Sequence, residues 1–220
     1  MSKRTAISTL LILLCLLCLP KPGIALTANS FVSEKEAKGS FCLFAKGKST
    51  AIYVSTNESP GVIRVVTDLQ KDVQRVSGRL PALERESGQL RNRAVLVGEL
   101  GKGGLVDQLV RDGKLDVSEI KGKWEACVLQ VVQNPLTGVE SALVIAGSDK
   151  RGTIYGVYDL SEQMGVSPWH WWADVPARHH DALYVSAGRH VQGPPAVKYR
   201  GIFINDEEPA FGEHHTLNAP

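Results

Sequence analysis

The sequence predicts an α/β fold, a mixed β-sheet of about five or six strands flanked by helices. Three features carry that prediction. Residues 94–98 and 141–147 are continuous apolar runs of strand length, as buried strands require. Val62, Val65, Val66, Leu69, Val73 and Val76 recur at steps of three and four, the mark of one buried helical face. Strand-like and helix-like stretches then alternate along the chain.

Taken in order, residues 26–40 are polar and irregular, a lead-in. Residues 41–45 and 51–54 read as short strands around a Lys46-Gly47-Lys48 turn. Asn57 to Gly61 opens the first helix and Gly78 stops it. The buried run at 94–98 leads through a glycine-rich turn into a helix holding Leu105, Leu109 and Val110. Residues 123–132 alternate as a strand, and 141–147 are the second buried run. Residues 152–164 form a helix ended by Gly165, and 182–185 a last short strand. This gives an α/β domain over 41–187. A linker is expected at 188–196, with Gly188, Gly193, Pro194 and Pro195, and a further strand at 197–205.

Composition narrows the class. Apolar residues make up 43% and charged residues 22%, ordinary for a globular chain and wrong for a disordered one. Lys3 and Arg4 precede an apolar run over 6–19, and Gly23-Ile24-Ala25 offers small residues at a cleavage site. Residues 1–25 therefore read as a signal peptide cut after Ala25, and the protein as secreted, extracellular or periplasmic. The run holds about 14 residues, short of the ~20 that span a bilayer, so no membrane partner is expected after cleavage. The formal charge of +2 owes three basic residues to that segment, and the rest is near balance. No basic excess points to nucleic acid. Of the four cysteines only Cys42 and Cys127 remain, read as two buried thiols or one disulfide.

Several constellations have both a chemical and a plain structural reading. Gly98, Gly101, Gly103 and Gly104 sit between a strand and a helix, where backbone amides cradle phosphates. Their spacing meets neither the dinucleotide nor the P-loop pattern, and a tight turn explains them. Gly147-Ser148-Asp149-Lys150-Arg151-Gly152 offers a helix cap in Ser148 or Asp149, while Lys150 and Arg151 suit a carboxylate ligand. Trp169-His170-Trp171-Trp172 gathers three of the four tryptophans, as a sugar-stacking wall or as a domain-docking surface. His170, His179, His180, His214 and His215 lack zinc-ligand spacing, so no metal is expected. Asp206, Glu207 and Glu208 close the final strand. Paired carboxylates suit glycoside hydrolysis, but neighbours on a strand face opposite sides, so Asp206 and Glu207 do not form an acid–base couple across one bond.

Five runs carry a family resemblance: residues 95–102, 121–125, 145–156, 167–176 and 199–207, the last reading Tyr199-Arg200-Gly201-Ile202-Phe203-Ile204-Asn205-Asp206-Glu207. In order and spacing they resemble the N-terminal region of the family 115 glycoside hydrolases, the xylan α-1,2-glucuronidases, over about residues 30–209. The resemblance implies an α/β domain like the second domain of hexosaminidases, followed by a (β/α)8 barrel with an inverting active site and no cofactor. Residues 197–220 are then the start of that barrel, cut short, with Tyr199 to Asn205 as its first strand. It implies a site role for Asp206, with Asn205 and Glu207 beside it, and contacts from Lys150, Arg151, Trp171 and Trp172 at the domain junction. It names glucuronoxylan or its oligosaccharides as partner, and the missing barrel as intramolecular partner. A barrel needs about 250 residues, and eleven follow Pro209, so the chain is expected to be an inactive fragment. The alternative is a stand-alone, non-catalytic carbohydrate-binding or interaction module.

Overall fold

A computed structural model describes residues 30–170 and 173–201. Its core is a six-stranded mixed sheet in the order β10-β7-β8-β6-β4-β5. The parallel half is β8 (Val139–Gly147), β6 (Asn92–Glu99), β4 (Ala51–Val54) and the short β5 (Leu83–Glu84). β7 (Cys127–Leu136) and β10 (Arg189–Gln192) complete it antiparallel. The apolar runs at 94–98 and 141–147 pair directly, Val95 opposite Leu143 and Val97 opposite Ile145. They occupy the centre because they can be buried on both faces, as parallel strands must be.

Alternation assigns the two faces. Leu96, Val144 and Val128 pack with Val106 and Leu109 of α2 (Leu105–Arg111), and with Leu115 and Ile120 after it. The other face is covered by α1 (Pro60–Ser77) and α3 (Lys150–Gln163), which also pack on each other. The helix expected from the three-and-four spacing is α1: all six of its periodic valines and leucines are buried. Pro60 occupies its first turn, where no amide partner is needed, and Gly78 ends it in the left-handed conformation at φ 70°. A second sheet, β1-β9-β2-β3, is antiparallel and joins Val32–Ser33 (β1), Phe41–Ala45 (β2), Lys48–Ser49 (β3) and Leu183–Val185 (β9).

Three expectations need correction. The stretch read as a linker at 188–196 contains β10, which pairs with β7 from Arg189 opposite Gln130 to Gln192 opposite Cys127. Its polar Arg-His-Val-Gln sequence suits an edge strand and carries no alternation to detect. The strand read at 123–132 starts instead at Cys127, because residues 121–126 form a turn in which Glu125 takes φ 50°. The further strand expected at 197–205 is irregular over 197–201, and its remainder lies outside the described residues.

α3 sits unusually close to the sheet. A Cβ on Gly152 would overlap the Ala126 carbonyl, and one on Gly156 would press on Ile145 and Cys127. Gly152→Ala is expected to cost about 3 kcal/mol or more in urea unfolding, since rigid backbone blocks the added methyl. Gly88→Ala, with open space around it, is expected within about 0.5 kcal/mol of wild type. Equal stabilities for the two variants would contradict this seating.

Candidate functional site

The carboxyl ends of β4, β6 and β8 open onto three adjacent turns, the edge at which open α/β sheets place ligands. After β4 comes Glu58, a charged side chain that is only 6% exposed. Its Oε1 accepts the Glu99 amide at 3.1 Å, while Oε2 is buried with no hydrogen-bond partner. Burial pushes this carboxyl from the ordinary 4.5 up to about 7, opposed by the Glu99 amide and reinforced by the Glu99 carboxylate. Glu99 is itself held by the Ser59 hydroxyl, which donates at 3.3 Å, and by Lys102 at 3.7 Å.

After β6 comes the glycine turn. Its amides do not face an empty cradle. The Gly101 amide donates to Asp107 Oδ1 at 2.8 Å and the Gly103 amide to Oδ2 at 2.6 Å. Both glycines have positive φ, at 86° and 74°, which the tight turn requires. The first turn of α2 thus supplies its own anion, and the structural reading of this motif holds.

After β8 comes the start of α3. Asp149 is the cap: Oδ1 accepts the Gly152 amide at 2.7 Å. Its Oδ2 accepts the Glu125 amide at 2.8 Å, so one carboxylate ties the helix start to the turn before β7. Ser148 completes the tie, exchanging hydrogen bonds with the Ala126 amide and carbonyl, each at 3.0 Å. Arg151 donates to Glu125 Oε1 at 2.9 Å while its side chain stays 64% exposed. The other carboxylate oxygen of Glu125 accepts from Arg200, which lies 75 residues downstream. Arg200 and then Arg151 hold the Glu125 carboxyl below its usual range through these hydrogen bonds. Lys150 is exposed beside them.

Lys150 and Arg151 are therefore together at the start of α3. Trp171, Trp172, Asn205, Asp206 and Glu207 lie outside the described residues. Trp169, in a short 3-10 turn at Pro168–His170, is 63% exposed. Nearby on the outer face of α3 is a cavity of about 410 Å³ lined by Tyr155, Tyr158, Asp159, Glu162 and Pro168 among others. His180 meets Glu34 and His190 meets Asp159, and among the described residues no group of three ligating side chains converges. Cys42 and Cys127 are free thiols, so the disulfide alternative does not hold, and burial pushes Cys127 up to about 12. No helix among the described residues is long and apolar enough to cross a membrane.

Two groups escaped the sequence reading. Glu58 falls in the helix start expected at 57–61, and Glu125 in the strand expected at 123–132. For Glu125 the signal was its place beside Trp124 in one of the five resembling runs, with Arg200 in another. Nothing local marks Glu58.

Glu58 makes stability depend on pH. Its folded-state pKa is raised, so the folded protein holds the proton longer than the unfolded chain does. Stability is full below about 4.5, falls as pH rises towards about 7, and is level above that. Glu58→Gln keeps an acceptor for the Glu99 amide and removes the charge. It is expected to raise stability at pH 8 by about 2 kcal/mol more than at pH 5, read from urea midpoints. An equal effect at both pH values would contradict the buried-carboxyl assignment.

No family model and no curated protein matches the chain. Among solved structures it matches a family GH115 4-O-methyl-α-glucuronidase with specificity for decorated arabinogalactans, at 36% identity and a TM-score of 0.62. The match covers 76% of this chain and 20% of that one. CpGH84D (9% identity, TM-score 0.40, 75% of this chain and 24% of that one) and a Streptomyces plicatus β-hexosaminidase (16%, 0.40, 71% and 23%) also align, too loosely to carry argument. The described chain spans about one fifth of the length of the GH115 enzyme, and over that span it is related, in sequence and in fold, to a region of a family 115 glycoside hydrolase.

Proposed function

We propose that the chain is the N-terminal α/β region of a secreted glycoside hydrolase that removes α-1,2-linked glucuronic or 4-O-methylglucuronic acid from polysaccharide side chains. The observation that supports it best is 36% identity held over 76% of the chain with a 4-O-methyl-α-glucuronidase. Glucuronoxylan is the first substrate to test. Decorated arabinogalactan, the specificity of that relative, is the second.

In this reading residues 41–187 build a scaffold resembling the second domain of hexosaminidases, residues 26–40 lead into it, and the signal peptide ends at Ala25. In the longer protein the segment from Tyr199 to Asn205, irregular up to residue 201 in this chain, becomes the first strand of a (β/α)8 barrel. Asn205, Asp206 and Glu207 stand at its carboxyl end, where such barrels place their active sites. Hydrolysis inverts the anomeric centre: one carboxylic acid protonates the leaving oxygen and another carboxylate activates water on the far face. That pair comes from later strands, and Asp206 contributes to the site they form. No cofactor enters this chemistry. Lys150, Arg151, Trp171 and Trp172 belong to the junction between scaffold and barrel, and the barrel is the scaffold's intramolecular partner. Turnover belongs to the longer protein and not to these 220 residues.

A second reading has one specific support. Trp169 and Tyr158 are exposed, at 63% and 48%, near the cavity on α3, as in a surface that stacks on sugar rings. A stand-alone carbohydrate-binding module predicts quenching of tryptophan fluorescence by uronic-acid-bearing xylo-oligosaccharides. No response at millimolar ligand counts against it.

The hydrolase reading is tested by assay. Purified residues 26–220 are expected to release no uronic acid from glucuronoxylan or arabinogalactan. The protein encoded by the native transcript, read through the codon for Pro220, is expected to release it as the inverted β-anomer. Enzyme-like release by residues 26–220, or a stop codon directly after Pro220, would contradict the reading.

A further inference from the structure

Glu125 is a buried carboxylate gripped from two sides. Its side chain is 7% exposed, yet it faces two guanidinium groups, Arg151 on one oxygen and Arg200 on the other. Arg200 approaches from the irregular segment after β10. Its guanidinium lies 6.0 Å from the Trp124 ring centre and 5.9 Å from that of Tyr155, and it donates to the Tyr155 hydroxyl at 3.2 Å. A further N–H donates to the Val197 carbonyl at 2.6 Å, folding the segment back on itself. Tyr199, next to it, is 85% exposed.

Every wall of this receptacle comes from the α/β domain. Trp124 and Glu125 lie in the turn before β7, which Asp149 fixes by accepting the Glu125 amide. Arg151 and Tyr155 stand one turn apart on α3. A carboxylate acceptor, a phenol acceptor and two aromatic rings together suit a planar cation with a fork of donors, and a lysine ammonium less well.

We propose that Trp124, Glu125 and Tyr155 form a guanidinium receptacle, with Arg151 orienting the Glu125 carboxylate through its other oxygen, and that Arg200 fills it as a latch fixing where the chain leaves the α/β domain. The latch goes beyond the glucuronidase reading and stands whether or not that reading does. Where both hold, the latch also sets the starting point of the strand that carries Asp206.

The test uses the full 220-residue chain and chymotrypsin, whose cut after Tyr199 requires the segment to leave the receptacle. Glu125→Gln keeps the cleavage site intact and is expected to speed that cut about tenfold, the loss of a charge-assisted hydrogen bond. Arg200→Lys and Arg200→Ala are expected to speed it similarly, each rate being referred to the same cut in the denatured variant. Their urea midpoints are expected to stay near wild type, since Arg200 lies outside the core. Millimolar guanidinium chloride is expected to leave the wild-type cut unchanged and to shift the tryptophan fluorescence of Arg200→Ala, where sodium chloride does not. Wild-type cleavage in the Arg200 variants would overturn the latch. So would full rescue by lysine, or a guanidinium response identical in Arg200→Ala and in Arg200→Ala combined with Glu125→Gln. Should Glu125→Gln fail to fold, the two Arg200 variants decide alone.

Discussion

The close seating of α3 on the sheet is the constraint on which the rest depends. Gly152 lies where a Cβ would overlap the Ala126 carbonyl, and Asp149 bonds at once to the Gly152 and Glu125 amides. The helix start and the turn before β7 are therefore one rigid piece. Everything charged on that edge inherits its position from this contact: Lys150 and Arg151 on the helix, Glu125 on the turn, and through Glu125 the guanidinium of Arg200. A glycine is needed there for close approach, while Gly101 and Gly103 after β6 are needed for positive φ.

The edge formed by the three strand ends is not an open ligand cradle of the nucleotide type. Its amides are spoken for by the protein's own carboxylates, Asp107 after β6 and Asp149 after β8. Glu58 stands apart. It is a carboxyl buried against the β6 end with one oxygen unsatisfied, an arrangement that favours the neutral acid and penalises the anion.

What could be read from sequence follows from how far each signal reaches along the chain. α1 was legible because its buried valines repeat at helical spacing and Pro60 and Gly78 punctuate it. The central strands were legible because 94–98 and 141–147 are apolar throughout. β10 was not, since an edge strand of Arg-His-Val-Gln needs no apolar alternation. The start of β7 was misplaced by four residues, because the alternation over 123–126 belongs to a turn that Asp149 holds from 24 residues away. Asp149 was legible as a cap, and Lys150 and Arg151 as neighbours of it. Glu125 with Arg200 was not, since their pairing spans 75 residues and no local pattern encodes it. Trp171 and Trp172 as a tryptophan cluster and Asp206 and Glu207 as strand-end carboxylates stand out in the sequence itself, Asn205 only through the family resemblance, and all five lie outside the described residues.

The most direct measurement is native-state hydrogen exchange at two amides, Glu125 and Gly152, both of which end on the Asp149 carboxylate. The account predicts that they exchange as slowly as the central amides of β8, because the tie opens only when the sheet does. Exchange of both at loop rates, with β8 still protected, would contradict the claim that this junction positions the charged edge.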